Sequence, residues 1–115
     1  MPQFKFIEEK TVERELIWTY RCLIIFTFNK KNIEQVIITD HYQFKHGEII
    51  NNELILKLLE KLNGWKVEPI KYHNNRQIFK WEITLQEKRY RLIFWFKDNE
   101  TSRLWIRNCY QIDNK

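Results

Sequence analysis

The chain has 115 residues, 43% hydrophobic and 16% aromatic, enough for one hydrophobic core and too rich in apolar side chains for an intrinsically disordered segment. With 2 Gly and 2 Pro it has little composition for long flexible linkers, so we expect a single domain over residues 1–115. A formal net charge of +5 and a pI near 9.2 favour polyanionic partners such as nucleic acid, although a charge of this size also serves plain solubility.

The opening residues alternate charge and aromatic side chains and carry no basic, apolar and small-residue succession of a secretory leader, so a cytoplasmic location is expected. Glu8, Glu9, Glu13 and Glu15 read as a solvated charged stretch. From Glu15 to Phe28, β-branched and aromatic residues predominate, and alternation places Leu16, Trp18, Tyr20, Cys22, Ile24 and Phe26 on one side of a long strand. Its longest apolar run, Leu23 to Phe28, is far below the roughly 20 residues of a membrane span, so no membrane partner is expected. The polar residues Asn29 to Asn32 form a turn, and Ile33 to Thr39 returns as the second arm of a hairpin.

Between Asp40 and Gly47 the strand gives way to a loop that holds His41 and His46. The one helix predicted spans Asn51–Asn63: Asn51 is a good N-cap, Leu54, Ile55, Leu58, Leu59 and Leu62 make one apolar stripe, and Gly64 stands just past the end. An extended segment from Trp65 to Tyr72 leads to a turn at His73–Arg76. Strands then follow near Gln77–Leu85, Arg89–Lys97 and Arg103–Ile112 as an antiparallel meander. The fold class expected is α+β, an antiparallel β-sheet of five or more strands with one main helix packed on one face. The run Tyr20 to Phe26 and the run Tyr90 to Phe96 resemble each other, which convergent hairpin patterning explains as well as duplication does. Cys22 and Cys109 are expected to be two separate thiols, not a bridge.

Alternation also predicts the two faces of the meander. Phe79, Trp81, Ile83, Leu85, Tyr90, Leu92, Phe94, Phe96, Leu104, Ile106, Tyr110 and Ile112 are expected to face the helix. The opposite face then collects Lys80, Arg91, Trp95, Lys97, Arg103, Trp105 and Arg107. Cations that neutralise phosphates, interleaved with Trp faces on which bases stack, are what a sheet uses to hold single-stranded RNA. An ordinary solvated face in which Arg stems cover Trp rings, or a homodimer or protein-partner interface, explains the same composition.

Chemistry could reside at His41 and His46: one imidazole takes the proton of a ribose 2′-hydroxyl, and a second acid, a role open to Tyr110, protonates the leaving 5′-oxygen. Lys45, Arg91 and Arg107 would hold the phosphate. Histidines in a loop also serve as plain surface residues, so both readings stand. No Cys-x-x-Cys or His-x-x-x-His pair, clustered carboxylate pattern, Gly-rich phosphate loop or Gly-x-Ser-x-Gly elbow occurs, so neither metal nor cofactor is expected.

The stretch Lys88-Arg89-Tyr90-Arg91-Leu92-Ile93-Phe94-Trp95-Phe96, a short turn, and Leu104-Trp105-Ile106-Arg107-Asn108-Cys109-Tyr110 resemble the closing strands of RelE-type toxin ribonucleases. The resemblance covers the C-terminal half; that family opens with helices, whereas a hairpin opens this chain. It implies metal-independent endoribonuclease activity with Arg91, Lys80, Arg107 and Tyr110 in phosphate binding and proton transfer. The function expected is therefore that of a small basic RNA-acting protein, a toxin-like endoribonuclease in its enzymatic form. The alternative is a non-enzymatic interaction protein, such as a dimerising phage or accessory protein, that uses the Trp-bearing face.

Overall fold

Strand alternation and three tight turns generate most of the architecture. In a computed structural model, residues 3–43, 49–73, 76–97 and 100–112 are described. In chain order they form β1 (Phe4–Val12), β2 (Glu15–Cys22), β3 (Thr27–Phe28), β4 (Lys31–Asn32), β5 (Gln35–Thr39), a 3₁₀ turn (Asp40–Tyr42), helix α1 (Asn52–Leu62), β6 (Lys71–His73), β7 (Arg76–Leu85), β8 (Lys88–Phe96) and β9 (Arg103–Ile112). Seven strands make one sheet in the order β1-β2-β5-β9-β8-β7-β6, and β3 and β4 pair as a separate small hairpin. No helix among the described residues is long and apolar enough to cross a membrane.

The β1/β2, β3/β4 and β7/β8 connections are two-residue loops: Glu13-Arg14, Asn29-Lys30 and Gln86-Glu87, with positive φ at every position. This is the backbone of the type I′ turn, whose twist matches that of paired strands. Only Asn29 among the six favours that conformation. Glu13-Arg14 therefore shows no turn signal in the sequence, and β1 is hidden there. The segment containing Glu8 and Glu9, expected to be merely solvated, is an edge strand whose exposed charges suit an edge. Trp18 Nε1 donates to Glu9 Oε1 at 2.7 Å across the pair.

Two other expectations need correction. The strand predicted from Glu15 to Phe28 ends at Cys22, because the chain then leaves the sheet to meet the C-terminal end of α1. The Asn63 side chain joins the two elements, accepting from Thr27 N (2.8 Å) and donating to Ile25 O (2.9 Å), while Gly64, at φ +89°, donates its N–H to Thr27 O (2.7 Å). Asn29 does the same for the following segment, exchanging two hydrogen bonds with the Val67 backbone. The sheet is also not wholly antiparallel: β5 runs parallel to β9. After β5 the chain passes through α1 to the far edge, and three successive antiparallel pairings return β9 beside β5 in the same direction.

The core gathers both halves of the chain. Ile55, Leu58, Leu59 and Leu62 of α1, spaced three and four residues apart, are fully buried in the cluster that contains Val36, Ile38, Phe79, Phe94, Leu104 and Ile106. Asn51 caps α1 as expected, its side chain accepting from Leu54 N at 2.8 Å. Phe28 packs edge-on against the stacked pair Phe79 (5.0 Å) and Phe94 (5.3 Å). Cys22 and Cys109 are both free thiols, and burial pushes their pKa values up to about 11 and about 12, so neither is a nucleophile near neutral pH.

Most of the predicted face pattern holds, with one break. A bulge opposite Ile93 and Phe94 pairs Ile93 with Asn108 but Phe94 with Ile106, leaving Arg107 without a partner. Beyond it the parity of β9 inverts: Cys109, opposite Leu92, enters the core, whereas Tyr110, opposite Arg91, and Ile112, opposite Arg89, lie on the other face. Tyr110 and Ile112 were expected on the core side.

Phe28→Ala should lower stability by about 3–5 kcal/mol through cavity formation, and Ile25→Ala, at a side chain 81% exposed, should change it by less than about 0.5 kcal/mol. Urea denaturation of both variants checks this; comparable losses would mean that the β3/β4 hairpin does not contribute to the core as described.

Candidate nucleic-acid interface

The face turned away from the core cluster is built from cross-strand neighbours. Trp95 of β8 pairs with Trp105 of β9, which in turn lies beside Ile37 of β5. With Arg76, Lys97 and Arg107 the two indoles line an open cavity of about 340 Å³. No carboxylate is among its described lining residues. Each ring carries a cation: the Arg76 guanidinium is 4.7 Å from the Trp95 ring, and the Lys97 ammonium is 4.9 Å from that of Trp105. These cations lie at the end of the C-terminal sheet where β7 begins and β8 ends, so strand register alone brings them together.

Closer to the other end, Arg91 is held on two sides. Its Nε donates to Glu82 Oε2 at 2.7 Å, its second terminal nitrogen also pairs with that carboxylate, and Nη1 donates to the Tyr110 hydroxyl at 3.1 Å. Donating to Tyr110 and to Glu82 raises the pKa of Arg91 above its ordinary value. Glu82 responds in the opposite sense, its carboxyl held low first by the Arg91 hydrogen bond and then by the charges of Arg91, Arg89 and Lys80. Arg107 donates to Glu15 at 2.5 Å, and Arg103 to Gln35 (3.2 Å) and Glu100 (3.4 Å).

Of the residues singled out in the sequence, Trp95, Lys97, Trp105 and Arg107 line the central cavity, and Arg91 and Tyr110 form a bonded pair on the same face. Arg103 lines a neighbouring depression, and Lys80 is exposed on β7 opposite Ile93, again on this face. His41 is exposed in the 3₁₀ turn after β5 and is not among the described residues lining the cavity. Lys45 and His46 lie outside the described residues.

Arg76 and His73 were read only as turn residues, yet the β6/β7 pairing sets them opposite each other, and both line a depression bordered by Trp95. Their signal was the extension of strand alternation by one residue on either side of the turn. The partners Glu15 and Glu82 were equally hidden, because each acts across strands far apart in sequence. Comparison with known proteins returns no matching family model, no matching curated protein and no matching solved structure.

The Glu82 carboxylate yields a pH test. A carboxyl whose folded pKa is depressed stabilises the fold above its unfolded pKa and loses that contribution as pH falls through the folded value. Glu82→Gln should therefore destabilise the protein more at neutral pH than in acid below the ordinary carboxylate range. Urea midpoints of the two proteins should converge as pH falls; a constant gap would show that the ion pair is not the source.

Proposed function

We propose that this protein binds single-stranded RNA on its Trp-bearing sheet face, with helix α1 covering the opposite face of the sheet. The observation that carries the reading is the cavity in which two indoles and three cations converge with no carboxylate among the described lining residues. Bases stack on indoles whatever their sequence, phosphates demand cations, and Arg76 and Lys97 can turn from ring to phosphate when a base takes their place.

Cleavage is the enzymatic form of the same proposal and the one that the resemblance to RelE-type toxins implies. His41 or His46 would take the 2′-hydroxyl proton, the 2′-oxygen would attack phosphorus, and Tyr110 would return a proton to the leaving 5′-oxygen. Arg91 would then face the phosphorane charge. The Arg91–Tyr110 hydrogen bond favours this form, since it sets a hydroxyl proton beside a fixed positive charge. Substrate phosphate would have to displace Glu82 from Arg91.

The non-enzymatic alternative, a dimer formed through this face, has one observation of its own: Ile7 and Val12 of β1 are exposed beside it.

In EDTA, a labelled oligouridylate of about ten nucleotides should bind with log affinity falling against log salt at a slope of roughly −2, from three cations at about 0.7 each. Trp95→Ala should weaken binding by about 5- to 150-fold, the equivalent of ~1–3 kcal/mol. Salt-independent binding, or unchanged affinity in that variant, would remove the cavity from the proposal. If RNA is cut, Arg91→Ala and Tyr110→Phe should abolish 2′,3′-cyclic phosphate products while retaining binding. Sedimentation as a dimer without RNA affinity would favour the interaction protein.

A further inference from the structure

The central cavity continues in both directions. Lys97 and Trp105 are shared with a depression of about 350 Å³ toward β1, over Ile17, Thr19 and Ile37. Arg76 and Trp95 are shared with another of about 350 Å³ toward β6, where Lys71, His73 and Ile78 contribute. Each side depression combines apolar side chains with cations: Ile17 and Ile37 with Lys10 and Arg103 toward β1, where Glu8 also lines the wall, and Ile78 and Ile93 with Lys71 and Arg76 toward β6. The three depressions therefore form one trough whose axis runs across the strands.

Resting on the RNA-binding reading, we propose that single-stranded RNA lies across the strands rather than along them. Two bases stack at Trp95 and Trp105, a flanking base rests over Ile17 and Ile37, and the phosphate at the other end meets Lys71, His73 and Arg76. Seven strands have six gaps, and at about 4.8 Å each the sheet is roughly 29 Å wide. That width suits on the order of four to six nucleotides, at the short end of the site sizes known for aromatic-lined grooves. The one difference in charge between the ends is the Glu8 carboxylate on the β1 side, which the described lining of the β6 side lacks.

The test is a length series of oligouridylates, from a dinucleotide to about ten nucleotides, followed by tryptophan quenching and competition. Affinity should rise steeply to about five nucleotides and then level off. Lys71→Glu at the β6 end and Val12→Glu at the β1 end, both at exposed positions, should each weaken the hexanucleotide by about fivefold and leave the dinucleotide unchanged. A plateau already at two nucleotides, or indifference of the hexanucleotide to both substitutions while Trp95→Ala still weakens it, would overturn the transverse path and leave the binding reading intact. Absence of binding at every length at about 50 mM salt would overturn both.

Discussion

Gln35–Ile38 of β5 lies beside Arg103–Ile106 of β9, and this short parallel ladder is where the two halves of the chain become one sheet. Parallel strands are usually buried on both faces, and β5 obeys: Val36 and Ile38 enter the main core, while Ile37 and Thr39, on the other side, are also inaccessible. Its neighbour β9 carries Trp105 beside Ile37, so the aromatic surface stands on a dry apolar floor rather than on open backbone. Ser102 O accepts from the Glu34 and Gln35 N–H groups, and Thr39 Oγ1 donates to Arg107 O, fixing the register at both ends. Everything on the outer face, from β1 to β6, takes its position from that register.

The second determinant is a single unpaired residue. Strand parity has a period of two, so one inserted residue exchanges the faces of all that follows. At Arg107 this exchange sends the Cys109 thiol into the core, where burial suppresses its ionisation, and brings the Tyr110 hydroxyl out to Arg91. Without the bulge, Tyr110 would be a core aromatic and Arg91 would face only Glu82. The Arg91–Tyr110 hydrogen bond is thus a consequence of backbone irregularity.

The cations described on the face are largely engaged by protein groups. Arg91 is engaged by Glu82, Arg107 by Glu15, Arg103 by Glu100 and Gln35, and the indoles are covered by Arg76 and Lys97. Partly exposed ion pairs of this kind contribute little to stability, so their replacement by phosphate is not costly. They hold Arg91, Arg103 and Arg107 in place on the face, while Arg76 and Lys97 lie over the indoles. Under the proposed RNA binding, phosphates would replace these carboxylates and the nucleic acid would release its counterions.

The sequence by itself determined the helix with its Asn51 N-cap, the three C-terminal strands nearly to the residue, and the gathering of Trp95, Lys97, Trp105 and Arg107 on one face. Each is a local property: an apolar stripe at helical spacing, a capping Asn, or strict alternation read along one strand. Tertiary structure alone decided the parallel β5/β9 junction, the break after Cys22 where Asn63 captures the chain, and the strand hidden behind Glu13-Arg14. It also decided the bulge that moves Tyr110, and the pairing of Arg76 with Trp95, Glu82 with Arg91 and Glu15 with Arg107. The physical reason is common to these cases. Pairing partners and register are settled by competition among segments distant in the chain, and a residue forced into positive φ or into a bulge leaves no trace in its own identity.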